Sequence, residues 1–235
     1  MTVLRRFHHI DNWIFDLDNT LYPPTSALFA QIDVKMAGFI SEALNVAPDR
    51  ARELQKHYYK TYGTTLRGLM TEHDMDPHAF LDYVHDIDHS VIEPNAALAE
   101  ALAALPGRKF IFTNGTNGHA VSVADRLGIT HLFDDLFDIV AADFTPKPDR
   151  VPYDRFLAQT GISPKTAVMF EDLARNLEIP HQLGMATVLI TGGTTRTHRA
   201  SWENAGSGSN HVDHEIDDLT KFLTDILAEI ATKQM

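Results

Sequence analysis

The chain has 235 residues, 32 acidic and 20 basic, for a formal net charge of −12, with 44% hydrophobic and 22% charged residues and no cysteine. This is an ordinary globular composition, long enough to bury a full core as one domain with an insertion or as two small domains. The negative balance argues against a general affinity for nucleic acid or an anionic membrane, and the lack of cysteine excludes a disulfide framework and a thiolate metal site.

Residues 1–9 carry Arg5 and Arg6 but no apolar core of signal-peptide length, and no apolar run reaches 18 residues. A soluble protein of a reducing cytoplasm is expected. Trp13, Ile14 and Phe15 then form a short apolar run followed at once by Asp16, Asp18, Asn19 and Thr20, the pattern of a buried strand ending in a polar loop. At the C-terminal edge of an open α/β sheet ligands bind, and alternation points both carboxylates to the same side. Two such anions repel unless a divalent cation neutralises them or one stays protonated. Alone, an Asp-x-Asp pair is more commonly a solvated loop.

From Pro23 the pattern is helical. Leu28, Phe29, Ile32, Met36, Phe39, Ile40 and Leu44 recur at helical spacing. Pro48-Asp49 opens a second helix with Ala51, Leu54 and Tyr58 on one face, residues 62–70 read as a turn and short helix, and Asp76-Pro77 starts another running towards His89. Residues 22–92 are therefore expected to form an all-helical insertion. The remainder, 1–21 with 93–235, is expected to form the other domain.

After Pro94 helix and strand alternate. A helical stripe through Leu98, Ala101, Leu102 and Leu105 stops at Pro106-Gly107, and a strand over 109–113 precedes Asn114-Gly115. Helices are predicted over 120–127, 153–159, 173–183 and 217–230, strands over 137–141, 166–170 and 186–190, and a flexible loop over 206–210. Such alternation argues a parallel sheet covered by helices, with the strand at 13–15 belonging to it. The fold class is thus α/β, a Rossmann-like parallel sheet with an inserted helical cap.

If the strands are parallel, Asp16 and Asp18, Thr113 and Asn114, Lys147, and Glu171-Asp172 meet at one sheet edge. They contain what phosphoryl transfer needs. Asp16 can attack phosphorus to form an aspartyl-phosphate. Asp18 can protonate the leaving oxygen and later deprotonate water. Thr113 and Lys147 offer a hydroxyl donor and a fixed positive charge to phosphoryl oxygens, and Glu171 and Asp172 complete a hard oxygen site of the kind Mg²⁺ prefers.

Asp16-Leu17-Asp18-Asn19-Thr20, Thr113-Asn114-Gly115, Lys147-Pro148 and Glu171-Asp172 stand in the order of the four motifs of the haloacid dehalogenase (HAD) superfamily, which nearly the whole chain resembles. The resemblance implies a Rossmann-like core, Mg²⁺ dependence, Asp16 as nucleophile, Asp18 as acid/base, phosphate contacts from Thr113, Asn114 and Lys147, and a metal site of Asp16, the Asp18 backbone carbonyl and Asp172. Many members carry a further acid beyond the metal ligand, where this chain has Asn176; Glu171 and Asn176 stand as residues supporting the ligands or as alternative ligands. The dehalogenases of the superfamily act without metal and lack the second Asp, so Asp18 argues for phosphate chemistry. Residues 16–22, Tyr62-Gly63 with Leu66-Arg67-Gly68-Leu69, and 170–177 are similar to the pyrimidine 5′-nucleotidase subgroup, which releases phosphate from nucleoside monophosphates such as UMP and CMP.

Within the insertion, Tyr58, Tyr62 and Arg67 are candidates to stack on or bind a base. The tyrosines can equally pack within the cap, and Arg67, next to Gly68 and so with backbone room to approach a ligand, can equally pair with Glu72 or Asp76. None of the 13 histidines forms a metal-ligand spacing, and His119, just after the second motif, is the one most worth a functional role. Gly115 and Gly118 suit either backbone contact with phosphate or a turn before a helix, and Gly192-Gly193 lacks a dinucleotide fingerprint. The expected partner is a small phosphorylated metabolite, with monomer and homodimer both open. The alternatives are a sugar-phosphate or phosphoglycolate phosphatase or a phosphomutase on the same machinery, and a signalling receiver that accepts phosphate without turnover. A receiver would be about half this length and would lack the insertion.

Overall fold

The computed structural model describes residues 7–192 and 209–233. Its six strands form one parallel sheet: β1 (Asn12–Phe15), β2 (Arg108–Phe112), β3 (Asp135–Phe137), β4 (Ala167–Glu171), β5 (Ala186–Ile190) and β6 (His214–Ile216). The order across the sheet is β3-β2-β1-β4-β5-β6, so successive connections run to opposite sides of β1 and leave a crevice between the C-terminal ends of β1 and β4.

All four residues of β1 are buried, which accounts for the apolar run Trp13-Ile14-Phe15 within it. Phe15 stacks on Phe170 at 4.8 Å on one face of the sheet, within a cluster with α5 (Ala96–Ala104), α6 (Asn117–Leu127) and α9 (Leu219–Lys233). Ile14 faces the other way, towards Phe110, Met169 and α7 (Arg150–Thr160), with α8 (Glu178–Leu183) beside it. Helices therefore cover both faces, as the alternating pattern predicts.

Between β1 and β2 the chain forms α1 (Leu28–Leu44), α2 (Pro48–Tyr62), α3 (Thr65–His73) and α4 (Pro77–His85), packed around their own cluster of Ile32, Ile40, Tyr58, Leu66, Leu69 and Phe80. Their starts follow from side-chain capping: Thr64 accepts from the Arg67 backbone N–H, and Asp76 accepts from His78 N–H with Pro77 behind it. Gly68 lets two helices meet. A Cβ there would lie 2.3 Å from Tyr58 Cβ, so α2 packs against bare backbone of α3.

Three expectations are corrected. The strand expected over 137–141 is Asp135–Phe137, and the chain turns at once. Asp138 accepts backbone N–H bonds from Ala141 and Asn117, which replaces a ladder partner with a turn. The turn carries Ile139 into the core of the helical segment. α4 ends at His85 rather than near His89, which instead begins a short 3₁₀ turn capped by Asp88. β6 was not expected: three half-polar residues give no strand signal, and pairing to β5 supplies one. Of the loop expected over 206–210, residues 206–208, like Gly193, lie outside the described residues.

Candidate active site

The C-terminal ends of β1 and β4, neighbours in the sheet, deliver Asp16 and Glu171-Asp172 to one point. Oxygens of these three buried carboxylates lie within 4.8 Å of one another. Lys147, itself 1% exposed, lies among them from the loop after β3: its Nζ donates to Asp16 Oδ1 at 2.8 Å, to Glu171 Oε1 at 2.7 Å and to the Phe112 carbonyl at 2.8 Å. Burial works against the ammonium, but Asp16 and Glu171 outweigh it and hold Lys147 above its ordinary pKa. It is a permanent cation here.

Asp16 is under-compensated. Burial pushes its carboxyl up to about 7 despite Lys147, with Glu171 and Asp18 adding to the rise. One ammonium shared between two of three buried acids leaves excess negative charge, and another cation would relieve it. Glu171 has little left to give: Oε1 accepts from both Lys147 and Asn176 Nδ2 (2.7 Å), and Oε2 accepts from Leu173 N–H at 2.9 Å. Because a carboxylate can only accept, the Asn176 amide orientation is fixed, and its buried Oδ1 has no hydrogen-bond partner among the described residues. An all-oxygen, excess-acid cluster with an orphaned buried acceptor fits a hydrated hard cation, and suits Asp16 and Asp172 as its carboxylate ligands better than Glu171.

Asn114 and Lys147 clamp each other's loops: Lys147 N–H donates to Asn114 Oδ1 at 2.8 Å and Asn114 Nδ2 donates to the Lys147 carbonyl at 3.2 Å. Both polar ends of Asn114 are thus engaged in placing Lys147. Thr113, also buried, accepts from Gly115 N–H at 2.9 Å, and its own O–H meets no acceptor among the described residues. That hydroxyl faces no competitor as a donor to a ligand.

Asp18 is held differently from Asp16. Its Oδ1 receives the Tyr22 hydroxyl at 2.5 Å and His119 Nε2 at 2.9 Å. Burial works to raise its pKa, but His119, Tyr22 and His85 together hold it below the ordinary value. Thr20 likewise reaches Asp16 Oδ2 at 3.2 Å. The roles of Thr20 and Tyr22, each four residues after its aspartate, went unread in the sequence; the repeated i, i+4 spacing was the available signal.

The helical segment closes over this edge at several points. Arg175 Nη2 donates to the Gly63 carbonyl at 3.1 Å and its guanidinium lies 4.7 Å over the Tyr59 ring. His78 meets Phe144 edge-on at 5.1 Å. Of the cap candidates, Tyr58 is buried and bonds His73, and the Tyr62 hydroxyl donates to Glu72. The Arg67 guanidinium has no hydrogen-bond or ion-pair partner among the described residues, so the Glu72 or Asp76 pairing is not what the fold builds. Nor does Gly68 give Arg67 room for a ligand, since Tyr58 fills that space.

Comparison with known proteins agrees with this geometry. Residues 10–184 match the haloacid dehalogenase-like hydrolase family. Phosphate metabolism protein 8 of Saccharomyces cerevisiae is 28% identical over an alignment of 195 residues that covers 75% of this chain and 60% of that protein, so the chain spans less than two thirds of that relative's length. Among solved structures, a HAD phosphatase from Thermococcus onnurineus is similar with a TM-score of 0.59 at 17% identity, covering 92% of this chain and 98% of that one. L-2-haloacid dehalogenase from Xanthobacter autotrophicus is similar with a TM-score of 0.57 at 16% identity, covering 92% and 97%. The magnesium-bound putative HAD-hydrolase YfnB from Bacillus subtilis also has a TM-score of 0.57, at 12% identity and covering 93% and 98%. With three quarters of its length in the family match and a parallel sheet that gathers every motif residue at one edge, the chain belongs to the haloacid dehalogenase-like hydrolase family.

Proposed function

We propose that the protein is a Mg²⁺-dependent phosphomonoester hydrolase working through an aspartyl-phosphate on Asp16. The observation that carries this reading is the buried cluster of Asp16, Glu171 and Asp172 around one lysine, with Asp18 two residues after the first of them. Structural neighbours include both a phosphatase and dehalogenases, so likeness of fold does not choose between these chemistries; the second aspartate, Asp18, and the acid cluster support the phosphatase reading.

Asp16, Asp172 and the Asp18 backbone carbonyl hold the metal in this reading, and Mg²⁺, when bound, supplies charge neutralisation for the phosphoryl oxygens. A carboxylate oxygen of Asp16 bonds to phosphorus as the bond from phosphorus to the ester oxygen breaks, and Asp18, ionised in the free site and taking up a proton once the anionic ester lies beside it, delivers that proton to the ester oxygen. Asp18 then takes a proton from water, whose oxygen bonds to phosphorus as the Asp16 oxygen departs. Lys147 and the Thr113 hydroxyl donate to the non-bridging oxygens. Asn114 acts by placing Lys147, and Glu171 and Asn176 by anchoring the lysine and the second carboxylate. The helical segment is the cap that excludes water.

For the substrate, we propose a pyrimidine nucleoside 5′-monophosphate, on the likeness of residues 16–22, Tyr62-Gly63 with Leu66-Arg67-Gly68-Leu69, and 170–177 to that subgroup, with the unpartnered Arg67 as the candidate base contact. The test is phosphate release across UMP, CMP, purine nucleotides, sugar phosphates and phosphoglycolate, with Mg²⁺ and after exhaustive chelation. Release from UMP and CMP that chelation stops and Mg²⁺ restores is expected. Full activity of metal-free protein would overturn the metal assignment, and a preference for sugar phosphates or phosphoglycolate would overturn the substrate.

A further inference from the structure

Asp18 is held by a side chain that is itself held from two directions. His119, on the first turn of α6, has a fully buried side chain, and its Nε2 lies 2.9 Å from Asp18 Oδ1. Since a carboxylate only accepts, Nε2 carries the hydrogen. The other ring nitrogen, Nδ1, lies 3.0 Å from His89 Nε2, and His85 stacks on the ring at 4.5 Å and 8°. His85 bonds in turn to Thr116, whose hydroxyl caps α6 by accepting from His119 N–H. The three histidines come from α6, the end of α4 and the 3₁₀ turn that leads back from the helical segment.

We propose that His119 is a positioning residue for Asp18, with His89 and His85 fixing its ring, so that docking of the helical segment and orientation of the acid/base carboxylate are one arrangement. Asp16 is oriented by the Lys147 ammonium, whereas Asp18 Oδ1 is oriented by two hydrogen-bond donors, His119 and Tyr22, arriving from different elements. Two donors on one oxygen select one rotamer of the carboxylate. Proton transfer depends on that rotamer, because a misplacement of about 1 Å at a reacting group can cost 10²-fold in rate. A core histidine serving packing alone would be expected to satisfy its ring nitrogens on backbone; both ring nitrogens of His119 instead join a chain of side chains that ends on Asp18.

The inference rests on the phosphomonoesterase reading, and the experiment separates the two. His119→Ala is compared with wild type on p-nitrophenyl phosphate, whose leaving group needs little protonation, and on a simple alkyl phosphate, whose leaving group needs much. His119→Ala is expected to lower kcat about 10- to 100-fold on the alkyl ester with KM nearly unchanged, to lower it several-fold less on the nitrophenyl ester, and His119→Gln, which keeps an N–H donor, to regain most of the loss. Equal losses on both esters, or no rescue by glutamine, would overturn the positioning role while leaving the phosphatase reading intact. A wild-type protein that releases phosphate from neither would overturn both. If His119→Ala fails to fold, Tyr22→Phe, which removes the other donor on the same oxygen, takes its place: a greater loss on the alkyl ester supports the proposal and an equal loss overturns it.

Discussion

The sheet edge and the helical segment above it solve opposite problems. At the edge, Asp16, Lys147, Glu171 and Asn176 are buried and bonded to one another from the segments after β1, β3 and β4, with negative charge left over. In the helical segment, Tyr58 is satisfied locally by His73 and Tyr62 by Glu72, and this packing needs no ligand. Chemistry built on charge in a dry site tolerates little variation, whereas a helical lid needs mainly volume and amphipathic faces. The contrast predicts that substitutions at the edge act on rate and substitutions in the lid act on stability or selectivity.

The largest effect is expected at Asp16. Asp16→Asn removes the nucleophile and should lower turnover by on the order of 10⁴-fold or more. It should also raise the melting temperature of metal-free protein at pH 8, because Asp16, with its pKa pushed up to about 7, is ionised there against the preference of the folded state. Wild-type rates in this variant would erase the distinction between the two regions.

Gly68→Ala tests the lid as packing. The added methyl meets Tyr58 Cβ at 2.3 Å, so the helices must separate, at a cost of about 1–3 kcal/mol by analogy with overpacked cores. Denaturant unfolding should show that loss, while the rate per folded molecule on a small ester changes little.

His85 lies at the seam, and it makes stability fall on the acid side. Burial and its neighbour His119 lower its pKa from 6.5 to about 3, so below pH 6.5 the unfolded chain binds a proton that the folded one refuses. Stability from this group is intact above pH 6.5 and declines by up to about 1.4 kcal/mol per pH unit as pH falls towards 3. Unfolding of wild type and His85→Gln at pH 7 and pH 5 should show a shallower acid-side decline in the variant; parallel curves would remove His85 from the seam.

The smallest effect is expected at Arg67. Arg67→Ala should lower kcat/KM for UMP and CMP about ten-fold while a small non-nucleotide ester loses little. Equal losses, or none, would leave the lid without a base-reading residue at this position.

The same contrast decides what could be read in the sequence. Asp16, Asp18 and Asp172 were legible because a parallel sheet must bring strand ends to one edge, and a polar residue directly after an apolar run marks such an end, whereas Lys147, in a loop ten residues past β3, was legible through its place in the order of motifs. The turn after β3 was not, because Asp138 redirects the chain through side-chain bonds to Asn117 and Ala141 that no periodicity encodes. The histidine cluster was only glimpsed at His119, since His85 and His89 meet it solely through the docking of the helical segment. Gly68 looked like room for a ligand and is instead room for Tyr58, a distinction that requires knowing which helix lies opposite.

The central claim is that phosphate passes through Asp16. Acid-quenched mass spectrometry of the protein turning over a phosphomonoester with Mg²⁺ tests it most directly. A phosphoryl increment on the peptide bearing Asp16, absent in Asp16→Asn, is the predicted result. Steady phosphate release with no phosphorylated Asp16, or with the phosphoryl group on another residue such as His119, would contradict it.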